Sequence, residues 1–189
     1  MAFEATKREW CELYTFFRLL ADGQVHAGNA EGTKDEAMTW PIAMIRREEH
    51  DGTRQYIIEG EEIHICGENM DKRIPREDFD TVAHLVLEAV KASRENDVES
   101  PEGVEEFLDE VAIFDLEAQT DDRTDFYVSF FHKDTPPVGF CVRSKLTSMF
   151  PLLDGGRTAN FKFEQTGVKF ATPTVNKINA FGEDDDVVG

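Results

Sequence analysis

The sequence predicts an α+β fold in which a largely antiparallel sheet is flanked by helices. Three observations carry that expectation. A stretch with helical periodicity opens the chain, from Thr6 to Asp22. Short β-favouring runs punctuated by turn residues follow, ending in a strand–turn–strand unit from Thr124 to Lys145. Two further helix-like stretches separate the two groups of strands. At 189 residues and 40% hydrophobic content, the chain fits one domain with a sizeable core.

The first helix is expected from about Thr6 to Asp22. Thr6 can cap it, and Glu9, three residues on, completes a capping box. Trp10, Leu13, Tyr14, Phe17 and Leu20 form an apolar stripe, and Gly23 ends the helix. Glu9 and Glu12 lie one turn apart on a neighbouring face, where they read as solvated charges or as a carboxylate source for a metal. GNAEGTK, residues 28–34, reads as a loop. Met38 to Arg47 and Arg54 to Glu59 read as paired strands joined at Asp51-Gly52, with a further short strand from Glu61 to Cys66. His50 and His64 are isolated and read as surface or edge residues.

A second helix begins at Pro75, with Phe79, Val82, Ala83, Val86, Leu87 and Val90 as its apolar stripe. The polar run Ser93 to Ser100 breaks it. Ser100 and Pro101 open a third helix that runs to about Val111. Both acidic helices read as scaffold. Asp115 to Thr124 is an acidic loop. Beyond the strand pair, Leu146 to Leu153 reads as a short helix or turn, Asn160 to Gln165 as a strand and Pro173 to Phe181 as the start of a helix.

The strand pair holds the residues richest in chemistry. In its first half Phe126, Val128 and Phe130 alternate with Tyr127, Ser129 and Phe131; Asp134 and Pro136-Pro137 supply the turn. Gly139 restarts an extended run, in which Cys141, Arg143 and Lys145 are expected on one face. Asp125 at one end and the two cations at the other are the minimal kit for holding a metal against a phosphate. The alternative is an ordinary hairpin with a solvated charged face.

Composition bounds the partners. No run of about twenty apolar residues exists, so no membrane-spanning helix is expected. The N-terminus lacks an apolar secretory core, and Cys11, Cys66 and Cys141 form neither a disulfide framework nor a zinc spacing; the expectation is a cytoplasmic protein. Thirty-nine acids against 20 bases give a net charge of −19, a surface that reads as halophilic and argues against a nucleic-acid partner. The distribution reverses that. Residues 125–181 carry seven bases and four acids, +3, while the remainder carries −22. A local basic segment can engage phosphates while the rest stays acidic.

Three segments together resemble the HpaII-type restriction endonuclease family. REWCELYTFFRLLADGQV resembles its opening helix, with a Gly-Glu-Trp-x-Glu-Leu-Tyr pattern followed by Lys-Leu-Leu-Ala-Asp-Gly. GFCVRSKLTSMFPLLDGGRTANFKFE resembles its Gly-Phe-Ser-Ile-Lys-Ser-x-Leu-Gly segment with Thr-Leu-Leu-Asn and Thr-Asn-Phe followers, and VNKIN resembles the next helix. The similarity runs from about Lys7 to Ala180, loosely over Ala30 to Glu117.

The resemblance implies a PD-(D/E)xK nuclease core with a mixed or antiparallel sheet, and Mg²⁺-dependent hydrolysis of a short palindromic site in double-stranded DNA, with CCGG as the analogy. By that resemblance Asp125 is the strand-borne metal ligand, joined by Glu12 or Glu9 from the first helix. Arg143 stands where the family has its catalytic lysine; it stays protonated and cannot act as a base. Lys145 is the alternative cation. Arg157, Thr158, Asn160 and Lys162 are the expected DNA contacts. Family members are longer, so residues 1–189 read as one nuclease-like domain shortened at its C-terminal end. The family leaves room for a homodimer and a cognate methyltransferase. The other reading is a non-catalytic DNA-binding or interaction remnant.

Overall fold

A computed structural model of the chain describes residues 4–31, 33–68, 70–116, 124–131, 136–147 and 171–173. The chain divides into two compact units, Met1–Phe150 and Pro151–Gly189. Every element below belongs to the first. The expected DNA contacts Arg157, Thr158, Asn160 and Lys162 lie outside the described residues, as do the expected strand at Asn160 to Gln165 and nearly all of the expected last helix.

The chain starts with a short strand, β1 (Glu4–Thr6), and the helix α1 (Lys7–Asp22). Thr6 and Glu9 form the anticipated capping box, and Gly23 closes the helix with φ of 64°, a left-handed conformation that glycine adopts without a Cβ penalty. Trp10, Leu13, Phe16, Phe17 and Leu20 are buried, each worth about 1.5–3 kcal/mol against exposure.

The main sheet follows: β2 (Gln24–Gly28), β3 (Lys34–Glu49), β4 (Gly52–Glu59), β5 (Glu62–Gly67) and β6 (Met70–Pro75). Next come α2 (Arg76–Ala92), β7 (Asp97–Glu99) and α3 (Val104–Glu110). The last two strands are β8 (Phe126–Phe130) and β9 (Val138–Phe140). The sheet runs β6-β5-β4-β3-β8-β9, with β2 also on β3, and every pairing is antiparallel. β1 and β7 make a separate two-stranded ribbon, to which Trp10 Nε1 is tied by donating to the Val98 carbonyl at 3.0 Å.

One hydrophobic cluster joins the helices to the sheet. Phe16 meets Tyr56 edge-on at 4.9 Å and Phe126 at 5.8 Å, so α1 lies against both β4 and β8. Phe79 of α2 and Phe107 of α3 pack on Phe17 and on each other. Among the described residues no helix is long and apolar enough to cross a membrane.

Three expectations are corrected. The third helix does not start at Ser100-Pro101; Gly103 is its N-terminal flank, and the Val104 N–H bonds the Pro101 carbonyl at 3.1 Å, making a turn of the preceding residues. The strand after the Pro136-Pro137 pair ends at Phe140, so Cys141, Arg143 and Lys145 do not share the face of a strand. The physical reason is local. The Asp125 N–H donates to the Phe140 carbonyl, while the Asp125 carboxylate takes the Val142 N–H that a continued ladder would have used. GNAEGTK is only partly loop, because Gly28 pairs with Lys34 at the end of the β2–β3 hairpin.

Candidate active site

Glu12 reaches the interior because it sits one turn before Phe16, on the side of α1 that faces the sheet. It is 6% exposed, and one carboxylate oxygen accepts from Arg8 Nε at 2.9 Å. Asp125 is placed by the hairpin. It immediately precedes β8, is 8% exposed, and accepts the Val142 N–H at 2.5 Å. Gly139 lets this corner close: a Cβ there would lie 3.0 Å from Thr124 Cγ2.

The helix and the hairpin bring the two carboxylates to one small cavity, lined also by Leu13, Phe16, Arg47, Leu116 and Phe126. It is a cavity of about 10 Å³, room for a single water or a bare cation. The surroundings are mostly apolar, and burial raises the Asp125 carboxyl above the usual carboxylate range. The Val142 N–H, Arg8, Arg143 and Arg47 oppose that rise. A buried carboxylate short of compensation, beside a second one, is a donor set that fits a hard divalent cation, since Mg²⁺ is commonly held by one or two carboxylates plus waters and phosphates. Among the described residues no group of three or more His, Cys, Asp or Glu is placed to hold a metal ion.

Glu9 stands apart. Its carboxylate accepts from the Thr6 N–H at 2.7 Å and the Thr6 hydroxyl at 2.6 Å, which commits it to the helix cap. Arg143 is exposed and donates from Nη1 to the Val142 carbonyl at 3.0 Å, close enough to act electrostatically on Asp125. Lys145 is exposed in the turn that follows. The same segment touches α1: burial pushes the Cys11 thiol up, and a hydrogen bond with the Ser144 side chain partly offsets it. Residues 142–144 are therefore tied both to Asp125 and to α1.

Sequence reasoning missed Arg47. It is 3% exposed, and burial lowers its pKa against the nearby negative charges. Its guanidinium is ion-paired with Glu49 and donates from Nη2 to the carbonyls of Asp115 at 2.5 Å and Leu116 at 2.8 Å. Glu49 in turn accepts the N–H groups of Phe114 and Asp115. Losing one partner of such a buried pair costs about 3–5 kcal/mol. The signal was available: Ile45, Arg47 and Glu49 alternate in phase, and Ile45 is a core residue. His50 and His64 are side features, the first bonded to Asp115 at 2.7 Å and the second to Asp71 at 2.8 Å.

Two comparisons with known proteins bear on this site. A family model described as HpaII restriction endonuclease matches residues 6–189. A type II restriction enzyme HpaII of Haemophilus parainfluenzae is 28% identical over 172 residues, which is 88% of this chain and 48% of that protein. The chain thus spans about half the length of the curated relative it matches. No solved structure matches it.

Proposed function

The chain belongs to the HpaII restriction endonuclease family, and on that premise we propose that it is a type II restriction endonuclease-like protein that hydrolyses phosphodiester bonds in specific double-stranded DNA with Mg²⁺. The observation that carries this reading is the meeting of Glu12 and Asp125, from a helix and a hairpin, at one ion-sized cavity. The residues present fit the ion. Glu12 and Asp125 would hold it, and once bound it would polarise the phosphate and acidify a water.

The remaining roles belong to the chain. Arg143, beside Asp125 and open to solvent, puts positive charge where the scissile phosphate would lie, and its guanidinium suits phosphate oxygens. It cannot accept a proton, so it serves as an electrostatic stabiliser and not as a base. Lys145 is the second cation within reach of that segment. Arg157, Thr158, Asn160 and Lys162 would position the DNA through its backbone. They lie in residues 125–181, which carry seven bases against four acids. A homodimer and a cognate methyltransferase complete the proposal, as family associations.

The experiment is plasmid cleavage with Mg²⁺ at low and at molar salt. Site-specific cutting that disappears in Asp125→Ala supports the proposal; absence of cutting under both conditions overturns it. Arginine in the lysine position favours one second reading, a non-catalytic DNA-binding form. That form would bind duplex DNA with no cleavage, and Arg143→Lys would restore cutting.

A further inference from the structure

We propose that Arg47 is a positioning residue for Glu12 and Asp125, a fixed positive charge on the inner wall of the cavity that draws both carboxylates toward one point. The inference rests on the two-carboxylate reading above and goes beyond it.

Three observations converge. Arg47 lines the same cavity as Glu12 and Asp125, so all three side chains bound one small volume. Two carboxylates sharing such a space repel one another, and in surroundings this apolar the repulsion is poorly screened. Tyr56 and Asp115 act most strongly on the Arg47 charge, and the carboxylates of Glu12 and Asp125 also favour it. The guanidinium also cannot leave: Glu49 and the carbonyls of Asp115 and Leu116 hold it, and it is 3% exposed. A residue so enclosed does not meet DNA, which separates its role from that of Arg143.

The same bonds extend its influence. Leu116 forms another wall of the cavity, and its backbone is tied to Arg47. Glu49 holds the adjoining Phe114 and Asp115 N–H groups, so β3 organises both the charge and the wall. The competing account is that Arg47 merely cross-links β3 to residues 115–116 and neutralises Glu49.

Calorimetric titration of the full chain with Mn²⁺, without DNA, separates the accounts. Arg47→Gln combined with Glu49→Gln removes one charge of each sign, so net charge is unchanged and amide hydrogen-bonding groups remain. Partner residues around a metal site typically change affinity about 10–100-fold, and a loss in that range is expected for this pair. Arg47→Lys, which keeps the charge, should stay close to wild type. Wild-type affinity in the folded Gln/Gln variant, or an equal loss in Arg47→Lys, overturns the positioning role. Should the Gln/Gln variant fail to melt cooperatively, Arg47→Met combined with Glu49→Leu takes its place, since an apolar pair of similar volume often replaces a buried ion pair without loss of stability: the same loss supports the role and wild-type affinity overturns it. A wild-type chain that binds no Mn²⁺ overturns the two-carboxylate reading itself, and the inference with it.

Discussion

Asp125 and Val142 are 17 residues apart, yet the carboxylate of one accepts the backbone N–H of the other at 2.5 Å. That bond takes up the Val142 N–H just beyond the end of β9 at Phe140 and ties Asp125 to the segment that carries Arg143. One side chain therefore closes the corner of the hairpin, ties down the segment that carries Arg143 and lines the cavity it shares with Glu12.

Asp125 should trade stability for function. Burial raises its pKa in the folded state, so the folded chain holds that proton more tightly than the unfolded one. The associated stability is complete below the ordinary carboxylate range and is lost as pH rises through the raised value. Asp125→Asn keeps an acceptor for Val142 and removes that loss. Its melting temperature at pH 7 should equal or exceed wild type, with the difference vanishing toward pH 3. Mg²⁺ at 100 times its dissociation constant should stabilise wild type by about 2.7 kcal/mol and the variant not at all. A variant that melts lower at pH 7 and still responds to Mg²⁺ would contradict both halves.

The two helix glutamates should separate cleanly. Glu9→Gln weakens a capping box and should cost about 0.5–1 kcal/mol, measured by urea unfolding, with the Mg²⁺ response intact. Glu12→Gln should leave the fold in place and abolish that response. The reverse pattern would move the metal ligand to Glu9.

The limits of sequence reading fall along physical lines. The α1 boundaries were legible because Thr6, Glu9 and Gly23 act locally, and the hairpin was legible from alternation and turn residues. β6 was not, because an edge strand reading MDKRIP carries charges that discourage further pairing and mask its β character. β1 and β7 are three residues each, too short to show a period. Of the candidate site, Asp125 and Glu12 were singled out through resemblance, and both line one cavity. That cavity was not legible, because it depends on α1 crossing β8 through Phe16 and Phe126. Arg47 was passed over because its partners, Glu49 and the carbonyls of Asp115 and Leu116, include groups 68 and 69 residues away in the chain.

Arg143 should matter more than Lys145. Arg143 acts on Asp125 from the segment that leaves β9, whereas Lys145 lies exposed in the next turn. Removing a charge stabiliser of this kind lowers turnover by about 10²–10³-fold, the effect expected of Arg143→Ala in single-turnover plasmid cleavage. Arg143→Lys should cut at least as fast as wild type, and Lys145→Ala should fall by a smaller factor. A severe Lys145→Ala defect beside a silent Arg143→Lys would transfer the role to Lys145.

Salt should move stability and DNA affinity in opposite directions. With 39 acids against 20 bases, like-charge repulsion dominates the surface, and exposed pairs such as Lys91–Glu88 offset little of it. The screening length falls from about 10 Å at 0.1 M to about 3 Å at 1 M, so the repulsion should fade while the buried core is unaffected. The melting temperature should therefore rise steadily between 0.1 and 2 M KCl. Binding of non-specific duplex, read by fluorescence anisotropy, should weaken over the same range, because counterions displaced by phosphate contacts gain less free energy on release into concentrated salt. A melting temperature that falls with KCl would mean that ion pairs, and not net repulsion, govern the surface, and the high-salt interpretation of the acidic composition would fail.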